Sequence, residues 1–127
     1  MRSVLIIEDN KDNFFLMRYL LENSGYKVLG ADSGWMGIEI ALYNNPDLII
    51  LDIQLPGMDG YSVVRHLRKH SELVSTPIVV VSSFAMANNK EIAINSGANG
   101  FIEKPIDPDC FVTQLENYLN PLADKEQ

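Results

Sequence analysis

Five residues carry side chains that could do chemistry together if the fold gathered them: Glu8, Asp9, Asp52, Ser82 and Lys104. Asp52 ends the apolar run in "LIILDIQLPGMDG" (48–60), and a carboxylate there is costly to bury without a partner. Glu8 and Asp9 end a similar run in "IIEDN", Ser82 ends "IVVVS", and Lys104 follows "GFIE". Three carboxylates at one edge repel: at about 4 Å and an effective dielectric of about 20, each pair costs on the order of 4 kcal/mol. A raised pKa, a lysine or a metal must offset this. An oxygen-only cluster with room for water suits Mg²⁺ or Mn²⁺. Lys104 is a point charge suited to a phosphoryl group, and Ser82 can donate to the same group. Together these residues make a site for accepting phosphate on a carboxylate.

The surrounding pattern says how they meet. Short β-rich runs at Ser3–Ile7, Lys27–Ala31, Leu48–Leu51, Ile78–Ser82 and Gly100–Ile102 alternate with helical patterns. Three runs are nearly continuous Val, Ile and Leu, as in strands buried on both faces of a parallel sheet; the second and fifth are mixed, as edge strands are. Helices are predicted over Lys11–Ser24, Ser33–Asn44, Gly60–Lys69, Asn88–Ser96 and Pro108–Leu119. Gly25 and Gly97 are natural C′ residues, and Asp107 is an N-cap before Pro108 at N1. The order is (βα)₅, an α/β domain with helices on both faces of a parallel sheet. Residues 1–121 read as one domain and 122–127 as a tail. In such a sheet the functional crevice lies at the carboxyl ends of the strands, where all five residues sit.

With 127 residues, 46% hydrophobic and 21% charged, the chain can bury a core without disulfides or a structural metal. A net charge of −7 without a basic run argues against nucleic-acid and anionic-membrane binding. A single cysteine, Cys110, and no signal-peptide layout or membrane span point to the cytoplasm.

Taken in order, "IIEDN", "DIQLPGMDG", "VVVSS" and "EKPI" make almost the whole chain resemble the receiver domain of two-component response regulators, CheY-like and single-domain. Ser82 lies 30 residues and Lys104 52 residues after Asp52, the family's spacing. The resemblance implies a doubly wound five-stranded sheet of order 2-1-3-4-5. Asp52 would be the phosphoacceptor, taking phosphate from a histidine kinase, a histidine phosphotransfer protein or a small acyl phosphate. Glu8, Asp9, Asp52 and the Ile53 backbone carbonyl would hold Mg²⁺. Lys104 would contact the phosphoryl oxygens, with a cis bond to Pro105. Ser82 would be the switch hydroxyl and Phe101 the aromatic that follows it inward. The face of the fourth helix, fifth strand and fifth helix would meet the output protein, as a monomer or a phosphorylation-dependent dimer. The only reaction catalysed would be its own phosphorylation and dephosphorylation. If the inactive form dominates by a factor of about 100, phosphate must favour the active one by ~2.7 kcal/mol to reach parity. One or two charge-assisted hydrogen bonds supply that.

Ser83 stands where the family commonly has Ala, and Phe101 lacks the hydroxyl of the alternative Tyr. Gln54 and Phe84 occupy positions that influence phosphate lifetime, and Phe84 could shield the site from water. His66 and His70, four apart, read as surface histidines, and Trp35 as packing or surface. A flavin-binding relative of this topology wants a Ser/Thr/Gly loop where "EDNKDN" sits. A dehalogenase-type phosphatase wants an acid at Gln54, and a nucleotide hydrolase wants a glycine loop with Lys-Ser/Thr. The runner-up is a phosphate-independent interaction module with the receiver fold. With no output segment after the fifth helix, three situations fit: a stand-alone regulator, a phosphate-relay intermediate, or a receiver cut from a larger protein.

Overall fold

A computed structural model describes the backbone of residues 2–83 and 87–126, and their side chains apart from 87, 88 and 120–126. Five strands form one parallel sheet: β1 (Ser3–Ile7), β2 (Lys27–Ala31), β3 (Leu48–Asp52), β4 (Ile78–Ser82) and β5 (Gly100–Glu103). Their order is β2-β1-β3-β4-β5. The two mixed runs are the edges, and the apolar runs β3 and β4 are buried throughout. The helices are α1 (Lys11–Asn23), α2 (Gly34–Asn44), α3 (Gly60–Arg68), α4 (Ala87–Ser96) and α5 (Phe111–Glu126), with a 3₁₀ turn at Ser71–Leu73.

Strand alternation divides the core in two. Leu5, Ile7, Ile49, Leu51, Ile78 and Val80 face one layer with Ile38, Val64, Leu67 and Ala93. Val4, Ile6, Leu48, Ile50, Val79 and Val81 face the other with Met17, Leu21, Phe111 and Leu115. Glu8 continues the phase of Val4 and Ile6, Asp52 that of Leu48 and Ile50, and Lys104 that of Ile102. These three therefore share the α1–α5 side. Ser82 and Phe101 have the opposite phase, that of Ile78 and Val80. The register keeps the strand ends level, with Ile7 opposite Leu51, Asp52 opposite Val81 and Ser82 opposite Glu103.

Three helix starts are capped by side chains. Asn10, Ser33 and Asp59 each accept a backbone N–H three residues on, from Asn13 (2.9 Å), Met36 (3.3 Å) and Ser62 (3.0 Å). Gly25 and Gly97 end their helices with φ of 95° and 118°. Helices α1 to α4 each differ from the sequence reading by one residue at one end, and β3, β5 and α5 differ too. β3 and β5 each gain the acid that follows them, Asp52 and Glu103, because the ladder continues through both. Residues 108–110 form a turn in which the Asp107 carbonyl accepts from Cys110 (3.0 Å) and Phe111 (2.9 Å), so α5 begins at Phe111. Pro121 forgoes one backbone donor without ending α5, which runs to Glu126 where a tail was expected.

Candidate functional site

The carboxyl ends of β1, β3 and β5 bring Glu8 and Asp9, Asp52 and Lys104 to the same edge. Glu8 is 3% exposed and Asp52 8%, while Asp9 is exposed. Lys104 lies between the two buried acids, donating from Nζ to Glu8 Oε1 at 2.7 Å and to Asp52 Oδ2 at 3.3 Å. Backbone groups hold the remaining oxygens: Asn10 N–H donates to Glu8 Oε2 (3.2 Å) and Gln54 N–H to Asp52 Oδ1 (3.2 Å). Burial pushes the Glu8 carboxyl above its usual range. The hydrogen bond from Lys104 pulls the other way without cancelling the rise, and the Asp52 charge adds to it.

Glu8, Asp9 and Asp52 each present an oxygen, all within 4.8 Å of one another. One lysine cannot balance three ionised carboxylates, so the cluster is short of positive charge. It opens to a cleft of about 740 Å³ lined by Asp9, Asn10, Asn13, Asp52, Gln54, Ser83, Lys104 and Pro105. An all-oxygen donor set beside a roomy polar cleft fits a divalent cation that keeps part of its water shell, as Mg²⁺ does.

The other expected residues fall into place unevenly. The Lys104–Pro105 bond is cis. Ser82 is fully buried, and its carbonyl accepts from Lys104 N–H at 2.7 Å; Ser83 reaches the cleft wall instead. Phe101 is half-buried against the α2–α4 side of the core. Gln54 is exposed in the cleft. Phe84 lies outside the described residues. The Ile53 carbonyl, expected to face a metal, accepts from Gly60 N–H at 2.7 Å and Leu55 N–H at 3.2 Å. Both its lone pairs serve the turn, which leaves it none for an ion in this conformation. Sequence reasoning passed over Asn10 and Asn13 as cleft residues. The signal was the N-cap position of Asn10, which fixes the entry of α1 and lets its own N–H hold Glu8.

Residues 4–116 match the family described as "Response regulator receiver domain". The chain is similar to the polar-differentiation response regulator DivK of Brucella ovis, 38% identical over 118 residues that span 93% of this chain and 96% of that one. Among solved structures, it is similar to chemotaxis protein CheY4 of Vibrio cholerae, with 28% identity and a TM-score of 0.89 over 94% of this chain and 99% of that one. It is also similar to the receiver domain of sensor histidine kinase PA1611 from Pseudomonas aeruginosa PAO1, with 26% identity and a TM-score of 0.87 over 94% and 98% of the two chains. That structure has a magnesium ion coordinated in its active site cleft. No helix among the described residues is long and apolar enough to cross a membrane. The sheet order, the acid cluster with its lysine, and the match over residues 4–116 lead to one assignment: the chain belongs to the response regulator receiver domain family.

Proposed function

We propose that this receiver domain accepts a phosphoryl group on Asp52 and uses it to switch a protein-binding face in a two-component or phosphorelay pathway. The observation that carries the reading is the placement of Asp52: its carboxylate lines the cleft, within 4.8 Å of the Glu8 and Asp9 oxygens and 3.3 Å from the Lys104 ammonium.

Glu8, Asp9 and Asp52 would hold a Mg²⁺ or Mn²⁺ ion, which when bound supplies positive charge for the phosphoryl oxygens. An Asp52 oxygen attacks phosphorus; the new O–P bond forms as the bond to a donor imidazole nitrogen, or to an acyl oxygen, breaks. The leaving imidazole takes a proton, or the acyl carboxylate leaves as an anion. Lys104 exchanges its bond to Asp52 for one to a phosphoryl oxygen. Gln54 N–H, already on Asp52 Oδ1, fixes the carboxylate for attack. Asn10, Asn13, Gln54 and Ser83 line the path by which donor or water enters, so they and Phe84 set how long the phosphate lasts. The chain thus catalyses no reaction but its own phosphorylation and dephosphorylation.

The dianion then offers acceptors that the carboxylate lacked. The Ser82 hydroxyl moves toward it, and Phe101, on the same side of the sheet, takes the space Ser82 leaves. The surface of α4, β5 and α5 changes with it and meets an output protein or a second copy. The donor is a histidine kinase or histidine phosphotransfer protein, and the setting is the cytoplasm. Beryllofluoride tests the pocket. With Mg²⁺, a protein-bound ¹⁹F resonance is expected for the native chain and not for Asp52→Ala. A folded native chain with no bound resonance would favour a phosphate-independent interaction module.

A further inference from the structure

The outer side of β2 has no strand beside it, and its surroundings are self-complementary. β2 pairs only with β1, in the register that sets Ser3 opposite Lys27 and Ile7 opposite Ala31. Lys27 N–H donates to the Arg2 carbonyl, and the Ala31 carbonyl accepts from Glu8 N–H, both at 2.9 Å. Backbone groups of a strand point alternately to its two sides, so Lys27, Leu29 and Ala31 serve β1. The N–H and C=O of Val28 and Gly30 point outward, and Gly30 is exposed. Such a row of outward groups is a template for another strand.

The flanks are apolar. Phe15 and Tyr19 lie one turn apart on α1, and Met36 and Tyr43 two turns apart on α2, with exposures of 59%, 64%, 44% and 91%. Phe15 and Met36 line a groove of about 480 Å³ together with Ala31 and Asp32 at the end of β2. The exposed parts of these four side chains amount to roughly 500 Å². A stable interface covers about 800 Å² per partner, and the strand edge supplies the remainder.

Charge chooses the occupant. Lys27 and Asp32 are exposed at opposite ends of the edge, and neither has an ion-pair partner among the described residues. A lysine alone guards an edge against pairing. With an aspartate at the other end, a parallel copy of the edge meets like charges and an antiparallel copy meets opposite ones. A two-fold axis through Leu29, perpendicular to the sheet, sets Val28 against Gly30 of the second copy and joins their outward groups. It also sets Lys27 beside Asp32 of the second copy, twice over. The same axis brings α1 to α1 on one face and α2 to α2 on the other, so each apolar flank meets its own counterpart.

We propose that the outer edge of β2 pairs antiparallel with that of a second copy, so that two five-stranded sheets run on as one. This pairing needs neither phosphate nor metal, and it leaves β5, at the other edge of the sheet, free.

The test is sedimentation of the whole chain at low ionic strength, without Mg²⁺ or beryllofluoride, from about 10 µM to about 1 mM. The native chain is expected to pass from monomer to dimer over that range. Lys27→Asp and Asp32→Lys are each expected to raise the dimer Kd about tenfold or more, and the double variant, with the charges exchanged, to return it to within about threefold of native. Amide exchange at Val28 and Gly30 of the native chain is expected to slow about fivefold or more between the dilute and concentrated ends. A native chain that stays monomeric throughout overturns the proposal. A dimer indifferent to both single substitutions, one not restored in the double variant, or one that leaves Val28 and Gly30 exchange unchanged overturns it too. Should a substituted chain fail to fold, exchange at Val28 and Gly30 of the native chain decides alone.

Discussion

At the scale of residues, the site is a balance between burial and charge. Glu8 is the most buried acid of the three and holds its position through Lys104 and the Asn10 N–H. A carboxyl whose folded pKa lies above its unfolded value favours the native state while protonated, and that advantage disappears as pH rises through the folded value. Near neutrality, then, the charged Glu8 costs the metal-free protein stability. Glu8→Gln is expected to raise metal-free stability by about 1 kcal/mol at pH 7, with little effect at pH 4, where the native carboxyl is largely protonated. The same change should blunt the rise in Tm expected of the native chain on adding Mg²⁺. Thermal melts at both pH values, with and without Mg²⁺, check both statements. A lower metal-free Tm at pH 7 would mean that the Lys104 bond outweighs burial.

At the scale of elements, the turn after β3 joins site to scaffold. Asp59 caps α3 through Ser62 N–H at 3.0 Å, and Gly60 N–H binds the Ile53 carbonyl one residue past Asp52. Burial works to raise the Asp59 pKa, but hydrogen bonds from Ser62 and Tyr61 and the Arg65 charge outweigh it and hold the carboxyl below its usual range. A depressed carboxylate lends stability above its unfolded pKa and loses it as pH falls through the folded one. Asp59→Ala is therefore expected to cost about 1 kcal/mol at pH 7 and less in acid, read by urea denaturation. Gly60 leaves no room for a Cβ, which would lie 2.5 Å from Ile53 Cα and 2.7 Å from the Asp52 carbonyl oxygen. Gly60→Ala should thus weaken Mg²⁺ binding as well as stability, because the displaced backbone carries Asp52. Isothermal titration with Mg²⁺ checks this, and unchanged affinity would show that α3 yields in place of β3.

At the scale of the whole molecule, Tyr26 closes the sheet edge onto α5, donating to Glu116 Oε2 at 2.8 Å across 90 residues of sequence. Its burial, the bond to Glu116 and the charge there push its pKa up to about 12. The raised phenol favours the native state below its unfolded pKa and ceases to as pH climbs from about 10 through 12. Tyr61 is also pushed up, by burial and the Asp59 charge, so ultraviolet titration should show late-ionising tyrosine, and Tyr26→Phe should remove the component near pH 12. Much of this architecture was legible in the sequence because a parallel sheet writes itself as apolar runs, and each run names its own carboxyl end. Glu8, Asp52, Ser82 and Lys104 could be placed on one edge from that alone. The hydrogen bonds that engage the Ile53 carbonyl and the placing of Ser83, not the fully buried Ser82, at the cleft wall could not, because they depend on where loop backbone points. The most direct test of the central claim is intact mass after incubation with acetyl phosphate, with and without Mg²⁺, for the native chain and Asp52→Asn. The mass of one phosphoryl group is expected to be added to the native chain only, and only with Mg²⁺. An adduct that survives Asp52→Asn, or one that forms equally well without the metal, would contradict it.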